Sequence, residues 1–595
     1  MCHFRSKSAG WALLLLTAAT WAIFAPSLTD PFLSSWDDPA HVTRNVHLAL
    51  TWSNFAYWWH HAMLSIYMPV TMFTYMIDHA VWGLNPLGYR LQTLCWHTVA
   101  VLALWGCCRR LGVKTLPATL AALCWAIHPQ RVESVVWLSE RKDVLCAAFY
   151  FLSLYWYLGG RDRNRFNGPA WLAFVLALLS KPMAVSLPLV ILCVEFYRRR
   201  DGNWRFYLRL LWPWLLAAVA VMAITMNLQV VEKNRAPDWS RIGWVTAYNV
   251  YWYVKTTLLP LDLSPVYPRW IGTPGLLGEL TGFYLLALGM GYWLWRRGHD
   301  RLYFCGLPVT AAFLAAVAPV AAMLHAGYID HADRYSYIPS AFLWFAAAWG
   351  WQWLAVRVGD CRWQRWLLVL VPLSYAGALA AMTVDYLPCW RSFYDLVRSD
   401  SQRQHPHYLM LCEWGLLEND RRNFEQTIPI AERLEHEFRP GTSPEELQSR
   451  RVYADYFRAV ALFHRGQMAE SERLFLTLFR QSRSDSFYKN GFYTQVVMSL
   501  FWLRVGHHDV PGALQYAELL RKEYERTGDI HGFSYYFYRG LQAMLEKRDE
   551  EARSWLERAR QLEPDDPACR ENLMSVQKRL LEEKVQQQTG HLSGR

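Results

Sequence analysis

Two adjacent carboxylates, Asp37 and Asp38, lie in the stretch FLSSWDDPAHVTRN (residues 32–45), three residues after the apolar run WALLLLTAATWAIFAPSL. A carboxylate beside a membrane is costly and tends to face a cavity or a pathway. It can also accept the proton of an attacking hydroxyl. Adjacent side chains point to opposite faces of an extended chain, or about 100° apart on a helix, so one of the pair is expected to be the base and the other structural or metal-binding. Pro39 biases Asp38 toward an extended backbone, which favours Asp38 by a small margin. Together they could hold a divalent cation such as Mg or Mn, the one cofactor the sequence raises.

Further charges recur in the segments between apolar runs. Arg44 and His41 share the first loop. The segment HPQRVESVVWLSERKD brings His128, Arg131, Glu133, Glu140, Arg141, Lys142 and Asp143, SKP (180–182) brings Lys181, and WVTAYNVYWYVKTTLLPLD brings Lys255. The segment HAGYIDHADRYSYIP brings His325, Asp330, Asp333, Arg334 and Tyr335. Carboxylates with several cations on one membrane face suit a reaction in which a lipid-borne phosphate leaves and a hydroxyl attacks, with Arg or Lys stabilising the charge that builds on the phosphate. Any single Arg or Lys here could equally be a surface charge or a headgroup anchor.

The elements that must position these groups are membrane spans. The chain of 595 residues is 53% hydrophobic with 32 Trp, beyond an ordinary soluble protein. Its near-zero mean hydropathy averages a very apolar first two thirds with a polar stretch from about Ser399. The net charge of +11 sits largely in short basic clusters between apolar runs (109–114, 161–165, 198–205, 296–301 and 357–365), the signature of cytoplasmic loops. No basic stripe with interleaved aromatics marks a nucleic-acid surface. Taking about 20 apolar residues per span gives about eleven, near 11–28, 91–107, 116–133, 143–158, a pair within 168–197 broken at SKP, 207–226, 275–294, 303–323, 337–356 and 366–384. Parity makes 63–82 and 244–262 outer-surface or re-entrant helices. With the N-terminus inside and the first span uncleaved, the charged loops and the C-terminal region fall outside. The cysteines show no paired metal spacing and read as small apolar core residues.

From about residue 400 the pattern changes to amphipathic helices. In YFYRGLQAMLEKRDEEARSWLERARQLEPDDP, residues Tyr536, Gly540, Ala552, Leu556, Ala559 and Pro564 fall at the offsets of a tetratricopeptide unit. Looser copies run through Ala459, Gly466, Ser471 and Phe475, and through Gly506 and Ala513. The expectation is an all-α chain: a multispanning membrane domain over 1–390, then a degenerate tetratricopeptide-like repeat domain over 391–595 on the non-cytoplasmic side, a solenoid that binds a partner.

The segments WDDPAHVTRN, YMPVTMFTYMIDHAVWGLNPLGYRLQTLCWH, HPQRVESVVWLSERKDVLCAAFY, LLSKPMAVSLPLVI, LLPLDLSPVYP and ADRYSYIPS, in this order with repeats following, resemble the bacterial membrane proteins with tetratricopeptide repeats. Those are in turn similar to the eukaryotic transmembrane and tetratricopeptide-repeat O-mannosyltransferases. The resemblance implies a GT-C glycosyltransferase that moves a sugar, mannose or another hexose, from a polyprenyl-phosphate carrier to an acceptor hydroxyl, with inversion. It implies that Asp37 and Asp38 are the catalytic pair, without choosing between them. At its ERKD and ADRY motif positions Arg141 and Arg334 are assigned to the lipid phosphate, with Lys181 a further candidate, and Glu133, His128, Asp143, Asp333 and Tyr335 complete the set expected to bind the lipid phosphate or the substrate. The repeats would recruit an acceptor protein or glycan, a protein Ser/Thr foremost.

The chain contains no Asn-x-Ser/Thr sequon, which favours a bacterial periplasm over an endoplasmic-reticulum lumen and hence the bacterial inner membrane. Two other classes fit the same features: a non-catalytic membrane scaffold whose repeats organise envelope assembly, and a flippase for a lipid-linked sugar.

Overall fold

The computed structural model describes residues 2–160, 166–199, 204–228, 239–267, 274–296, 300–323, 330–358, 362–403, 406–438, 442, 444–482, 492–528, 530, 532–564 and 566–592. The basic cluster at 161–165, much of those near 200 and 298, and His325 lie outside the described residues. The described chain is all-α, with one isolated bridge, Met63 to Ile66. It divides into two compact units, 1–410 and 411–595.

In the first unit, helices occupy each of the eleven apolar intervals: α1 (Cys2–Phe24), α4 (Pro86–Arg110), α5 (Thr115–Ala126), α7 (Arg141–Gly159), α8 (Gly168–Ser180), α9 (Leu187–Arg199), α10 (Trp204–Leu228), α12 (Pro274–Arg296), α13 (Asp300–Met323), α14 (Pro339–Arg357) and α15 (Arg362–Tyr386). Four segments among the described residues, Ser8–Thr29, Pro86–Arg110, Arg205–Leu228 and Trp366–Trp390, are long and apolar enough to cross a membrane alone. Leucines such as Leu285, Leu286 and Leu288 stand exposed on α12, as lipid-facing side chains do. The protein is a multi-pass membrane protein.

The remaining helices of this unit are α2 (Trp52–His60), α3 (Pro69–Trp82), α6 (Arg131–Val136), α11 (Trp239–Leu258) and α16 (Phe393–Ser401). At 14 residues, α3 reaches about 21 Å, short of a hydrocarbon core of about 30 Å. Its Tyr75 hydroxyl donates to the Leu138 carbonyl at 2.6 Å and its Thr71 hydroxyl to the Ser180 carbonyl at 3.0 Å. The helix thus braces two charged loops from one side.

Three local breaks aim those loops. The expected span at 116–133 stops at Ala126, because Pro129 removes a donor; the chain turns and restarts as α6. At SKP, Pro182 disfavours a helical Lys181, which adopts φ −157° and ψ 131° between α8 and a 3-10 turn, Pro182–Ser186. A third turn, Leu138–Glu140, leads into α7. Residues 391–410 belong to the first unit, beyond the expected boundary at 390, because α16 buries Phe393, Leu396 and Val397 and Trp36 meets Phe393 at 5.8 Å between ring centroids.

The second unit is a series of packed helices: α17 (Tyr408–Asp420), which begins at the end of the first unit, then α18 (Thr427–His436) against α19 (Pro444–His464), α19 against α20 (Met468–Ser482), α21 (Phe492–Gly506) with α22 (Val510–Thr527), α23 (Phe533–Leu545) with α24 (Asp549–Leu562), and α25 (Pro567–Leu592) against α24. Small residues set the close approach. A Cβ on Gly540 would meet the Leu556 side chain at 2.7 Å, and Ala513, Ala552 and Ala559 are fully buried.

Candidate active site

The first acidic loop separates its two carboxylates. Asp38 is buried, and its oxygens accept from the Leu33 N–H at 3.0 Å, the Ser139 N–H at 3.1 Å and the Ser139 hydroxyl at 2.5 Å. Burial nonetheless raises its pKa against those hydrogen bonds. Asp38 is not extended, as Pro39 led us to expect: φ is −59° and ψ −40°. Three hydrogen bonds to its side chain and the π-turn Pro39–Thr43 that it precedes outweigh the proline's steric bias.

The Asp37 carboxylate is half-buried and makes no hydrogen bond among the described residues. Burial raises its pKa; Lys142 opposes that, Glu140 adds to it, and Arg334 and Lys181 also oppose it. Its carbonyl accepts from Nδ1 of His41 at 2.8 Å. A carbonyl only accepts, so Nδ1 carries the hydrogen. Burial pushes His41 down to about 3, leaving a neutral ring whose Nε2 has no partner among the described residues. Trp36, just before Asp37, is held at φ +62°, a conformation that costs about 1–3 kcal/mol and clusters at functional sites.

Around Asp37 stands a cage of charge centred on Glu140. Lys142 Nζ reaches Glu140 Oε1 at 2.8 Å, Lys181 Nζ reaches Oε2 at 3.5 Å and Arg334 Nε reaches Oε1 at 3.6 Å. Lys181 also donates to Asp143 at 2.5 Å. Arg334 pairs with Glu133 through its guanidinium and through its backbone N–H at 2.8 Å. Burial would raise Glu140, but Lys142, Lys181 and Arg334 overcome it and hold the carboxyl below the usual range. Lys142 spends its second donor on the Ser139 carbonyl at 2.9 Å, leaving its third proton without an acceptor among the described residues. The Tyr335 ring lies 4.8 Å from the Arg334 guanidinium and 5.5 Å from Lys181 Nζ. The Trp137 ring lies 5.7 Å from Arg334 and 5.9 Å from Lys142.

Lys181, Arg334, Glu133, Asp143 and Tyr335 are therefore brought together, with Asp37 beside them. Arg141 is not among them. Its Nη1 pairs with Asp78 at 2.5 Å and donates to Gln92 at 2.7 Å and Thr74 at 3.2 Å; Nε donates to Thr93 at 3.0 Å and Nη2 to the Tyr89 carbonyl at 2.6 Å. With that side chain fully buried and Nε and Nη1 both engaged, Arg141 is held as scaffold and presents no open face to a phosphate. His128 also stands apart, receiving the Gln130 N–H on Nδ1 at 3.2 Å and meeting the Thr257 carbonyl with Nε2 at 3.1 Å. Asp333 faces the Tyr267 hydroxyl at 3.0 Å, and burial with the nearby Glu133 raises its pKa well above the usual range.

The pair does not fit a divalent cation as two free carboxylates, since both Asp38 oxygens are aimed at hydrogen-bond donors. Among the described residues no cluster of three His, Cys, Asp or Glu could hold a metal ion. Sequence reasoning named Glu140 and Lys142 only as loop charges and passed over Trp36, Trp137 and Ser139. The signal for Trp36 was its adjacency to the acidic pair.

No family model matches the chain. It is similar to protein O-mannosyl-transferases. The Caenorhabditis elegans protein O-mannosyl-transferase F38B6.6 is 27% identical over 169 residues, covering 27% of this chain and 23% of that one. Human protein O-mannosyl-transferase TMTC4 is 29% identical over 180 residues, 26% of this chain and 24% of that one. The matches thus span about a quarter of these relatives' length. Among solved structures, ArnT from Cupriavidus metallidurans bound to undecaprenyl phosphate covers 79% of this chain and 80% of its own, at 16% identity and a TM-score of 0.34.

Proposed function

We propose that this protein is a membrane glycosyltransferase that moves a hexose, mannose foremost, from a polyprenyl-phosphate carrier to an acceptor hydroxyl at the outer face of a bacterial inner membrane. The observation that carries the reading is the juxtaposition of Asp37, a carboxylate without a hydrogen bond among the described residues, with three cations that share Glu140. The partial similarity to protein O-mannosyl-transferases supports it.

In this reading the acceptor oxygen attacks C1 of the sugar and gives its proton to Asp37. The bond from C1 to the carrier's phosphate oxygen breaks on the opposite face, which inverts the centre, and the electron pair leaves with the phosphate. Arg334 and Lys142, with Lys181 behind them, stabilise the dianion that departs. Arg334 suits the phosphate best, since 10% of its side chain is exposed against 3% for each lysine. Asp38 positions: through Ser139 it fixes the turn whose carbonyl holds Lys142. Arg141 fixes α7 to α3 and α4. An apolar cleft lined by Leu104, Phe151, Val190, Ala312, Phe342 and Trp349 would take a length of isoprenoid chain. The hairpin repeats, in the periplasm, would present a protein with Ser or Thr.

The test is transfer by the purified full chain from polyprenyl-phosphate mannose to a mixed peptide acceptor. Glycosylated peptide with an equal amount of free polyprenyl phosphate is the expected result. Carrier binding without phosphate release would mean a flippase, and no carrier binding would mean a scaffold.

A further inference from the structure

Beside the cage stands a group of aromatic rings that the chemistry above does not use. Trp36 and Trp137 pack with ring centroids 5.2 Å apart at 58°. Trp390 lies behind both, 6.4 Å from Trp36 and 5.8 Å from Trp137, and Phe393 lies 5.8 Å from Trp36. Trp390 and Phe393 are buried, whereas Trp36 is partly open. This wall connects the two halves of the site. Trp36 is the chain neighbour of Asp37, while the Trp137 ring is the one that Arg334 and Lys142 approach.

Two observations mark the wall as more than packing. The backbone of Trp36 is held in the left-handed region, where a bulky residue is an outlier; strain of this kind persists at ligand clamps because the surroundings enforce it. The indole nitrogen of Trp137, a donor and nothing else, is buried with no acceptor among the described residues. Buried indole N–H groups ordinarily find one.

We propose that Trp36 and Trp137 form the subsite for the hexose of the lipid-linked donor. The C–H face of the pyranose packs on the Trp36 ring, and the Trp137 N–H donates to a sugar oxygen. An apolar aromatic lining with one or two placed polar groups is how compact ligands are oriented. A sugar seated there presents C1 between Asp37 on one side and the cations that receive the phosphate on the other. This inference rests on the transferase reading and adds to it the residues that recognise the sugar.

The test compares two ligands on the detergent-solubilised full chain: polyprenyl-phosphate mannose and bare polyprenyl phosphate. The cations hold both, and the wall holds only the first. Trp36→Ala is expected to weaken the mannose-bearing carrier by about tenfold, the scale of one lost aromatic face, and to leave the bare carrier unchanged. Trp36→Tyr, which keeps a ring, should restore most of that loss. Trp137→Phe, which keeps the ring and removes the N–H, is expected to weaken the mannose-bearing carrier about fivefold, as loss of one neutral hydrogen bond does. Equal weakening of both carriers by Trp36→Ala, or no weakening of either, overturns the subsite and leaves the transferase reading standing. If the unmodified chain binds neither carrier, the transferase reading itself fails, and the subsite with it.

Discussion

Two knots of buried charge meet at the start of α7, built from the same residue types and differing in how completely they are satisfied. In the first, Arg141 spends its donors on Asp78, Thr74, Thr93, Gln92 and the Tyr89 carbonyl, and its guanidinium lies 4.5 Å from the Tyr75 ring centroid. In the second, Lys142, Lys181 and Arg334 share Glu140 at 2.8 to 3.6 Å, and the Asp37 carboxylate beside them has no hydrogen-bond partner among the described residues. The acidic pair divides the same way: among the described residues the Asp38 side chain accepts three hydrogen bonds and the Asp37 side chain none. A closed knot fixes helices and an open one has capacity left for a ligand, so the degree of satisfaction, more than residue type, separates scaffold from site.

Four measurements test that contrast. The largest effect is expected for Asp37→Asn, which should lower the transfer rate by about 10²- to 10⁴-fold, the range for a lost general base. Its melting temperature in detergent should stay close to the unmodified value. Next comes Arg141→Ala, which strands Asp78 inside the protein. It should cost about 3–5 kcal/mol of stability, read as a large drop in melting temperature. Lys142→Met should lose much less stability, because Glu140 keeps Lys181 and Arg334, while transfer still falls. Equal melting temperatures for these two variants would erase the distinction between the knots.

A smaller effect is expected for Asp38→Asn. Orphaning one of the donors at Ser139 or Leu33 should cost about 1–3 kcal/mol, with a much milder loss of kcat than Asp37→Asn. The smallest is a shift of the pH profile. The Asp37 pKa is raised, and the base acts only when deprotonated, so kcat/KM should fall with falling pH at a point above the ordinary carboxylate range. Lys142 is the largest opposing influence on that raised pKa. Lys142→Met should therefore raise it further and move the acid limb to higher pH.

Much of this architecture was legible in the sequence. The eleven apolar intervals each contain a helix, and the SKP break delivers Lys181 to the cage because proline punctuation is a local property. The division of labour between neighbours was not legible. Whether Arg141 or Lys142 faces Glu140 depends on how α7 is rotated against α3 and α4, and no pattern within one segment encodes that. Asp38 read as extended from Pro39 alone, because the Ser139 donors that hold it come from a loop about a hundred residues away. His128 looked like a site residue for the same reason: its partner, the Thr257 carbonyl, lies on a helix remote in sequence.

In the proposed reaction Asp37, and not Asp38, accepts the proton. Rescue by a small exogenous base tests it most directly: transfer from polyprenyl-phosphate mannose by Asp37→Ala and Asp38→Ala variants, with and without added formate or azide. The account expects Asp37→Ala to be nearly inactive and to regain activity with either anion, and Asp38→Ala to show no such rescue. Rescue confined to Asp38→Ala, or undiminished transfer by Asp37→Ala, would contradict it.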